Sequence, residues 1–275
     1  ASIGLGLQIG ANHYQMTYYF MMMIGLLFLI DLIFEIKNKS FNFKKIGVFI
    51  VAFFLAMSLN STSILATKEY TDFSTRGKSE TTINPDGTDK KNTNGLSKEY
   101  ITEYSYGITE SLNLLIPRFT GGGSGDMVDK EGDFFKSLQN YDSDTARIIY
   151  QNSRLYWGNQ PIVEAPAYIG ISVFFLFILG FTFLSKIQKI WIISSIAFAL
   201  TLSWGKNFPY LADLFIDYFP FYDKFRAVSS IQVIIEFLIP LVAAIGVYNF
   251  FEGDSKKINE KKLLTTTAAF IIPLL

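Results

Sequence analysis

The chain has 275 residues, 50% of them hydrophobic and 16% aromatic, with 24 basic and 24 acidic side chains and a formal net charge of zero. That balance leaves no global electrostatic case for nucleic acid. The absence of cysteine excludes disulfides and thiolate metal sites. A mean hydropathy of +0.28, with several apolar runs near the length that crosses a bilayer, predicts a mainly α, polytopic membrane protein. The short alternating strands of an outer-membrane barrel are not seen.

Taken in chain order, membrane helices are expected at about 14–36, 46–66, 167–185, 190–204 and 227–251, with a sixth starting at 263. Lys37, Lys39, Lys44 and Lys45 follow the first, Lys186 and Lys189 separate the third from the fourth, and Lys256, Lys257, Lys261 and Lys262 follow the fifth. Strict alternation puts these three connections on one side, which the positive-inside rule makes cytoplasmic. The localisation expected is therefore the bacterial cytoplasmic membrane, multi-pass, with residues 1–13, 67–166 and 205–226 outside it. Trp191 at an inner end, and Trp157 and Trp204 at outer ends, suit an interfacial aromatic belt. Three regions follow: the first two helices (1–66), an extracytoplasmic unit (67–166) and the remaining helices with an interfacial or re-entrant loop at 205–226 (167–275). The chain begins at Ala1 and stops within the apolar run 263–275, so it is read as a fragment of a longer protein.

The outer segment 67–166 has turn chemistry at "NPDGTDKKNTNG" (84–95) and a glycine run, "GGGSG" (121–125), read as a hinge. Tyr100–Phe119 is rich enough in aromatic and β-branched residues to hold a strand or two, and 133–156 shows helical spacing through Phe134, Phe135, Leu138, Ile148, Ile149 and Leu155. A small mixed α/β unit is expected there. In the loop 205–226, Leu211–Phe219 forms a short amphipathic helix, with Leu211, Leu214, Phe215 and Tyr218 on one face and Asp213 and Asp217 on another.

Several polar groups sit where the pattern demands membrane. The helix 227–251 starts beside Arg226 and carries Glu236 roughly 15 Å along its axis, close to mid-membrane. Ser229, Gln232, Glu236 and Pro240 recur at steps of three and four, so they are expected to share a face lining a polar cavity below Arg226. The plainer alternative makes Glu236 a packing partner for a neighbouring helix. Arg226, Lys224 and Lys206 gather near a helix N-terminus, a setting that suits a phosphate; snorkelling of long cations is the other reading. Asp31 and Glu35 read as interface charges near the inner end of their helix, with Lys39 one turn beyond Glu35. His13, in "NHYQMTYY" (12–19), is either a base or phosphate donor or a hydrogen-bonded structural residue. "STRGKSE" (74–80) offers Arg76 and Lys78 to a phosphate, or is a solvated loop. Asp213 and Asp217 alone make weak metal ligands, and no metal site is assigned.

The combination "NHYQMTYY", "STRGKSE", "YSYGITESLNLLIPRFTGGGS", "YWGNQPIVEAPAYIG" and "LSWGKNFPYLADLFIDYFPFYDKFRAVSS" resembles the bacterial YfhO-like membrane proteins, in particular those of Bacteroidetes type. That resemblance implies a GT-C-like polytopic glycosyltransferase using a polyprenyl-phosphate-linked sugar and a cell-envelope glycan acceptor at the outer face of the membrane. It makes Arg226 the first candidate for the lipid-phosphate contact and places His13 and Gln15 in the family's outer-face element. It also implies an acidic base in a first outer loop that would lie before Ala1, with Asp223 as the fallback carboxylate within this chain. A divalent metal is compatible with the class. Two other functions are weighed: a transporter or flippase whose path Glu236 would line, and a non-catalytic envelope assembly protein.

Overall fold

A computed structural model describes residues 2–77, 83, 87, 88 and 95–252 of the chain. The described residues are mainly helical, with helices α1 (Ser2–Gly10), α2 (Tyr14–Lys37), α3 (Phe43–Leu59), α4 (Ser61–Asp72), α5 (Lys98–Ile101), α6 (Asp133–Leu138), α7 (Ser143–Asn152), α8 (Ile171–Phe181), α9 (Lys186–Ser203), α10 (Pro209–Tyr218) and α11 (Val233–Phe251). The chain divides into two compact units, one of Ala1–Thr102 with Leu184–Leu238 and one of Glu103–Phe183 with Ile239–Leu275.

In the first unit, α2, α9 and the segment 228–238 bury Tyr19, Met23, Ile192, Leu202, Ile231, Ile235 and Leu238. The α9 helix starts on a full capping box, in which the Ser185 side chain accepts from the Gln188 amide and Gln188 answers to the Ser185 backbone. Along α3 the apolar side chains point outward instead, Val48, Val51, Phe54 and Leu59 among them. Unpaired apolar surface of this extent marks contact with hydrocarbon or another protein. At the far end of α2, Lys45 pairs with both Asp31 and Glu35, the latter at 3.1 Å. The two acids thus share one cation from α3, whereas Lys39 sits in a left-handed turn with φ 53°.

Among the described residues, two helices are long and apolar enough to cross a membrane, Tyr14–Lys37 and Val228–Phe251. A third crossing exists only if α3 and α4, bent by 74°, act as one. Six spans were expected. The run 46–66 breaks because Asn60 ends α3: its side chain donates to the Ala56 carbonyl at 3.1 Å and to the Gly6 carbonyl at 2.9 Å, giving the backbone an alternative to continuing straight. The run 167–185 shrinks to the 11 residues of α8, about 16 Å of helix against a hydrocarbon core of about 30 Å. The run 190–204 falls on α9 up to Ser203, and the helix spends its first turn on Lys186, Gln188 and Lys189. The span starting at 263 lies outside the described residues.

The second unit has no strand among the described residues, only the isolated bridges Gly121↔Tyr156 and Met127↔Arg154, which corrects the expected mixed α/β unit. Tyr100–Phe119 makes short helical pieces because buried side chains take over the backbone's polar groups. The Asn113 side chain accepts from the Thr120 amide at 3.0 Å and donates to the Thr120 hydroxyl at 2.6 Å, folding the chain back on itself. The helical spacing in 133–156 appears as α6 and α7, joined by an edge-to-face contact of Phe135 and Tyr150 at 5.2 Å. Asp142 caps α7, and the Thr145 hydroxyl and amide hold its carboxyl below the usual range.

The glycine run 121–125 is pinned rather than hinged. Gly122 N–H donates to the Leu155 carbonyl, Gly123 N–H to Asp126 and Ser124 N–H to the Val163 carbonyl. A side chain at Gly121 or Gly123 would run into the Leu155 or Glu164 carbonyl, so the glycines serve close backbone approach. The same device joins α8 to the later part of α11: a Cβ on Gly180 would meet the Val242 carbonyl, and one on Gly246 the backbone of Gly180.

Candidate functional site

The sequence candidates that come together lie in the first unit, on the turn 219–227 that precedes the Val228–Phe251 helix. The turn contains two non-glycine residues in the left-handed region, Phe221 (φ 65°) and Ala227 (φ 60°). Each costs on the order of 1 kcal/mol for an L-residue, so the surroundings must hold them there. Gln15 supplies part of that hold. Its side-chain amide donates to the Arg226 carbonyl at 2.6 Å and to the Tyr19 hydroxyl at 2.9 Å, and it reaches to 3.5 Å from the Ala227 carbonyl. Tyr18 holds the other end, donating to the Pro220 carbonyl at 2.6 Å with its ring against Phe219, Tyr222 and Phe225. Tyr222 fills the space beneath the turn, buried, and burial with the neighbouring Tyr19 and Tyr18 pushes its phenol well above the ordinary value.

Three cations converge on this turn. The Arg226 guanidinium lies over the Tyr100 ring, 4.5 Å from its centroid, and Nη1 donates to the Tyr100 hydroxyl at 2.6 Å. The aromatic face attracts the cation and fixes the plane of its fork. Arg76 donates from Nε to the Lys224 carbonyl at 2.8 Å, which brings an exposed guanidinium from the end of α4 onto the turn. Lys224 sits 3.1 Å from Asp223 Oδ2, partly exposed. The Asp223 carbonyl accepts from Leu96 N–H at 3.0 Å, and Gly95 packs so closely on the Asp223 carboxylate that any side chain there would collide.

The other candidates lie apart from this arrangement or play a different part. His13 is exposed at the start of α2 and caps it through its carbonyl, not its ring. Lys206 is exposed on the 3-10 turn Gly205–Asn207. Lys78 lies outside the described residues. Asp213 and Asp217 share Lys98, at 3.6 and 3.0 Å, so one cation bridges the pair, and the Asp217 contact raises the ammonium's pKa. Among the described residues no group of three His, Asp or Glu side chains is placed to hold a metal.

The face expected to run from Ser229 through Gln232 to Glu236 does not stay on one side. Gln232 is buried and donates to Ser203 Oγ at 3.3 Å, whereas Glu236 and Pro240 are exposed. At 3.6 residues per turn, each step of four rotates about 40° past a full turn, so this row drifts off the buried side within two steps. Glu236 therefore does not share the buried side of the helix with Gln232.

Sequence reading missed two residues that organise these regions. Tyr100, the platform for Arg226, is one aromatic among many and carries no spacing signal. Glu110 is 2% exposed in the second unit and accepts from Gly107 N–H at 2.9 Å, Asn159 N–H at 3.1 Å, the Gln160 amide at 3.3 Å and the Tyr156 hydroxyl. Burial, together with the bond to Glu110, pushes the Tyr156 phenol above its ordinary value. The available signal was that Glu110 and its partners sit in two of the quoted motifs, "YSYGITESLN" and "YWGNQP".

Set beside models of known protein families, curated proteins and solved structures, the chain matches none of them.

Proposed function

We propose that this chain is a membrane protein that recognises a polyprenyl-phosphate-linked sugar at the outer membrane interface and belongs to a glycosyl-transfer apparatus of the GT-C kind. The observation that carries the reading is Arg226, held over Tyr100 on a turn fastened by Gln15, with Arg76 and the Lys224 ammonium on the same turn at the head of a membrane-length helix. With Lys224 paired to Asp223, the two guanidiniums leave the turn a positive excess that suits a phosphodiester or diphosphate, and Arg matches it in bidentate geometry. A position at the end of an apolar helix lets the same ligand keep a hydrocarbon tail in the bilayer. The resemblance of the motifs to YfhO-like proteins supports the sugar and the transfer.

In that reading Arg226 and Arg76 bind the phosphate and stabilise the charge that grows on it as the sugar leaves. The acceptor hydroxyl needs a carboxylate to take its proton. Asp223 is the carboxylate on this turn, with Lys224 beside one of its oxygens. The extracytoplasmic side for the turn, the cytoplasmic membrane as location and the envelope glycan as acceptor belong to the same proposal.

The test uses the whole protein in lipid nanodiscs. Binding of undecaprenyl phosphate and release of sugar from a polyprenyl-phosphate sugar are measured for the native chain, Arg226→Ala and Arg76→Ala. Binding that falls at least tenfold in Arg226→Ala, with helical content unchanged, is the expected result. Binding indifferent to both substitutions would remove the site. Binding without sugar release, given a full set of donors, would leave a lipid-phosphate receptor and not a transferase.

A further inference from the structure

Most of the apolar exposure in the first unit is spread over convex helix surfaces, but one part is concave. The α1 helix lies along the outer end of α3 and leaves an open groove of about 510 Å³. Its floor is Gly6 and Gly10, its walls are Ile3, Leu7 and Leu59, and its end is Asn60. The floor is low because these two positions lack side chains: a Cβ on Gly6 would lie 3.4 Å from the Leu59 side chain and one on Gly10 3.3 Å from the Asn60 amide oxygen. Ile3, Leu7 and Leu59 are each more than 70% exposed, so the walls have no partner among the described residues. Asn60 spends its amide protons on the Gly6 and Ala56 carbonyls, so the groove offers little polarity to a ligand. The volume falls within the roughly 300–1,000 Å³ typical of small-molecule sites.

The groove ends close to the cationic turn. Ala11 lines it, and four residues later Gln15 donates to the Arg226 carbonyl at 2.6 Å. Four residues of chain reach at most about 14 Å. Between the two lie Asn12, His13 and Tyr14, and the Tyr14 hydroxyl bonds to Ser63 Oγ at 2.8 Å. An apolar trough and a polar patch thus follow one another along residues 3–15, and Gln15 at the end of that stretch fastens the turn that carries Arg226, in the order that an amphiphile with a charged head requires.

We propose that the α1–α3 groove holds the hydrocarbon tail of the lipid phosphate whose head Arg226 and Arg76 bind. The proposal rests on the lipid-phosphate reading above and adds the place where the tail enters. Apolar walls with a glycine floor suit an isoprenoid chain, which needs width and shape and no hydrogen bonds. The neighbouring cations supply the charge complementarity that separates this occupant from a bulk bilayer lipid.

The test is photolabelling of the whole protein in nanodiscs with a polyprenyl phosphate carrying a diazirine in its tail, with adducts mapped by mass spectrometry. Adducts are expected within residues 3–11 and at 59–60. Leu7→Trp, which fills the groove from an exposed wall without entering a packed contact, is expected to cut that labelling at least fivefold. Arg226→Ala is expected to cut it too, because the head no longer anchors the tail. Adducts only on other helices, with phosphate binding still dependent on Arg226, would overturn the groove and leave the head site standing. Equal labelling of the groove by the unphosphorylated polyprenol, or labelling unchanged in Arg226→Ala, would reduce it to ordinary bilayer contact and overturn the proposal. Failure of the native protein to bind polyprenyl phosphate at all would sink the lipid-phosphate reading first and this one with it. Helical content by circular dichroism, followed in each variant, separates loss of the groove from loss of the fold.

Discussion

Two charged side chains, Glu110 in the second unit and Arg226 in the first, show opposite ways of holding an ion in a mostly apolar chain. Glu110 is buried, and four donors from residues 107–160 converge on its two oxygens. A buried charge costs several kcal/mol unless it is saturated in this way, and once saturated it has no capacity left for a ligand. Arg226 is half-buried, its plane fixed by Tyr100, on a turn whose backbone is left-handed at Phe221 and Ala227. The first arrangement clasps two segments together. The second lays a guanidinium over an aromatic face, on a turn that also carries the Lys224–Asp223 ion pair and the contact from Arg76.

The comparison breaks most visibly at Glu110. Replacing it with alanine strands two backbone N–H groups, a phenol and an amide in a buried site, and the expected loss of stability is about 3–5 kcal/mol. The apparent unfolding midpoint of the protein in nanodiscs should drop by many degrees, while Tyr156→Phe, which takes one donor from Glu110 and the acceptor from Gln160 N–H, should cost about 1–3 kcal/mol. Gly180→Val tests the helix contact in the same unit and is expected to cost about 1–3 kcal/mol by overpacking against the Val242 carbonyl. At Arg226 the effect should move to the ligand. Arg226→Ala removes charge-assisted bonds worth about 1.5–3 kcal/mol, a ten- to hundredfold loss of polyprenyl-phosphate binding with the fold intact. Gln15→Ala loosens the turn without touching the charge, so binding should weaken severalfold and be partly restored by Ala227→Gly, which removes the left-handed penalty.

The smallest effect is set by pH. Burial raises the phenol pKa of Tyr156 and Tyr222 in the folded protein. Unfolded tyrosines ionise near pH 10, so the unfolded state gives up protons first and stability declines as pH rises above about 10. Below that value neither group contributes a slope. Tyr156→Phe should remove its share of the alkaline decline, read as the pH dependence of the unfolding midpoint between about 9 and 11. A decline unchanged in that variant would assign it to other groups.

Much of this was legible in the residues themselves. Long apolar runs announced α2 and the Val228–Phe251 helix, the spacing of Phe135, Leu138 and Ile149 announced α6 and α7, and Arg226 marked where the last of these apolar runs begins. These signals are local, because a helix closes its hydrogen bonds four residues apart and is read from a short window. Helix length already needed more. A single Asn60 side chain bends the second expected span, and the third keeps only 11 helical residues.

Which charge meets which belonged to the tertiary structure. Lys45 and not Lys39 neutralises Glu35, Lys98 takes Asp213 and Asp217 from more than a hundred residues away, and Gln15 crosses 211 positions to fasten Arg226. Glu236 parts from Gln232 because the helix rotates a row of every fourth residue off the buried side. The sequence by itself determined a helical membrane chain with a cationic turn at the head of one helix, since hydropathy and helical period are properties of neighbours. The platform under Arg226, the saturation of Glu110 and the groove beside α1 were decided only by packing, because an ion pair or cavity wall is set by distance in space, and the residues that meet there carry no mark of it in their order along the chain.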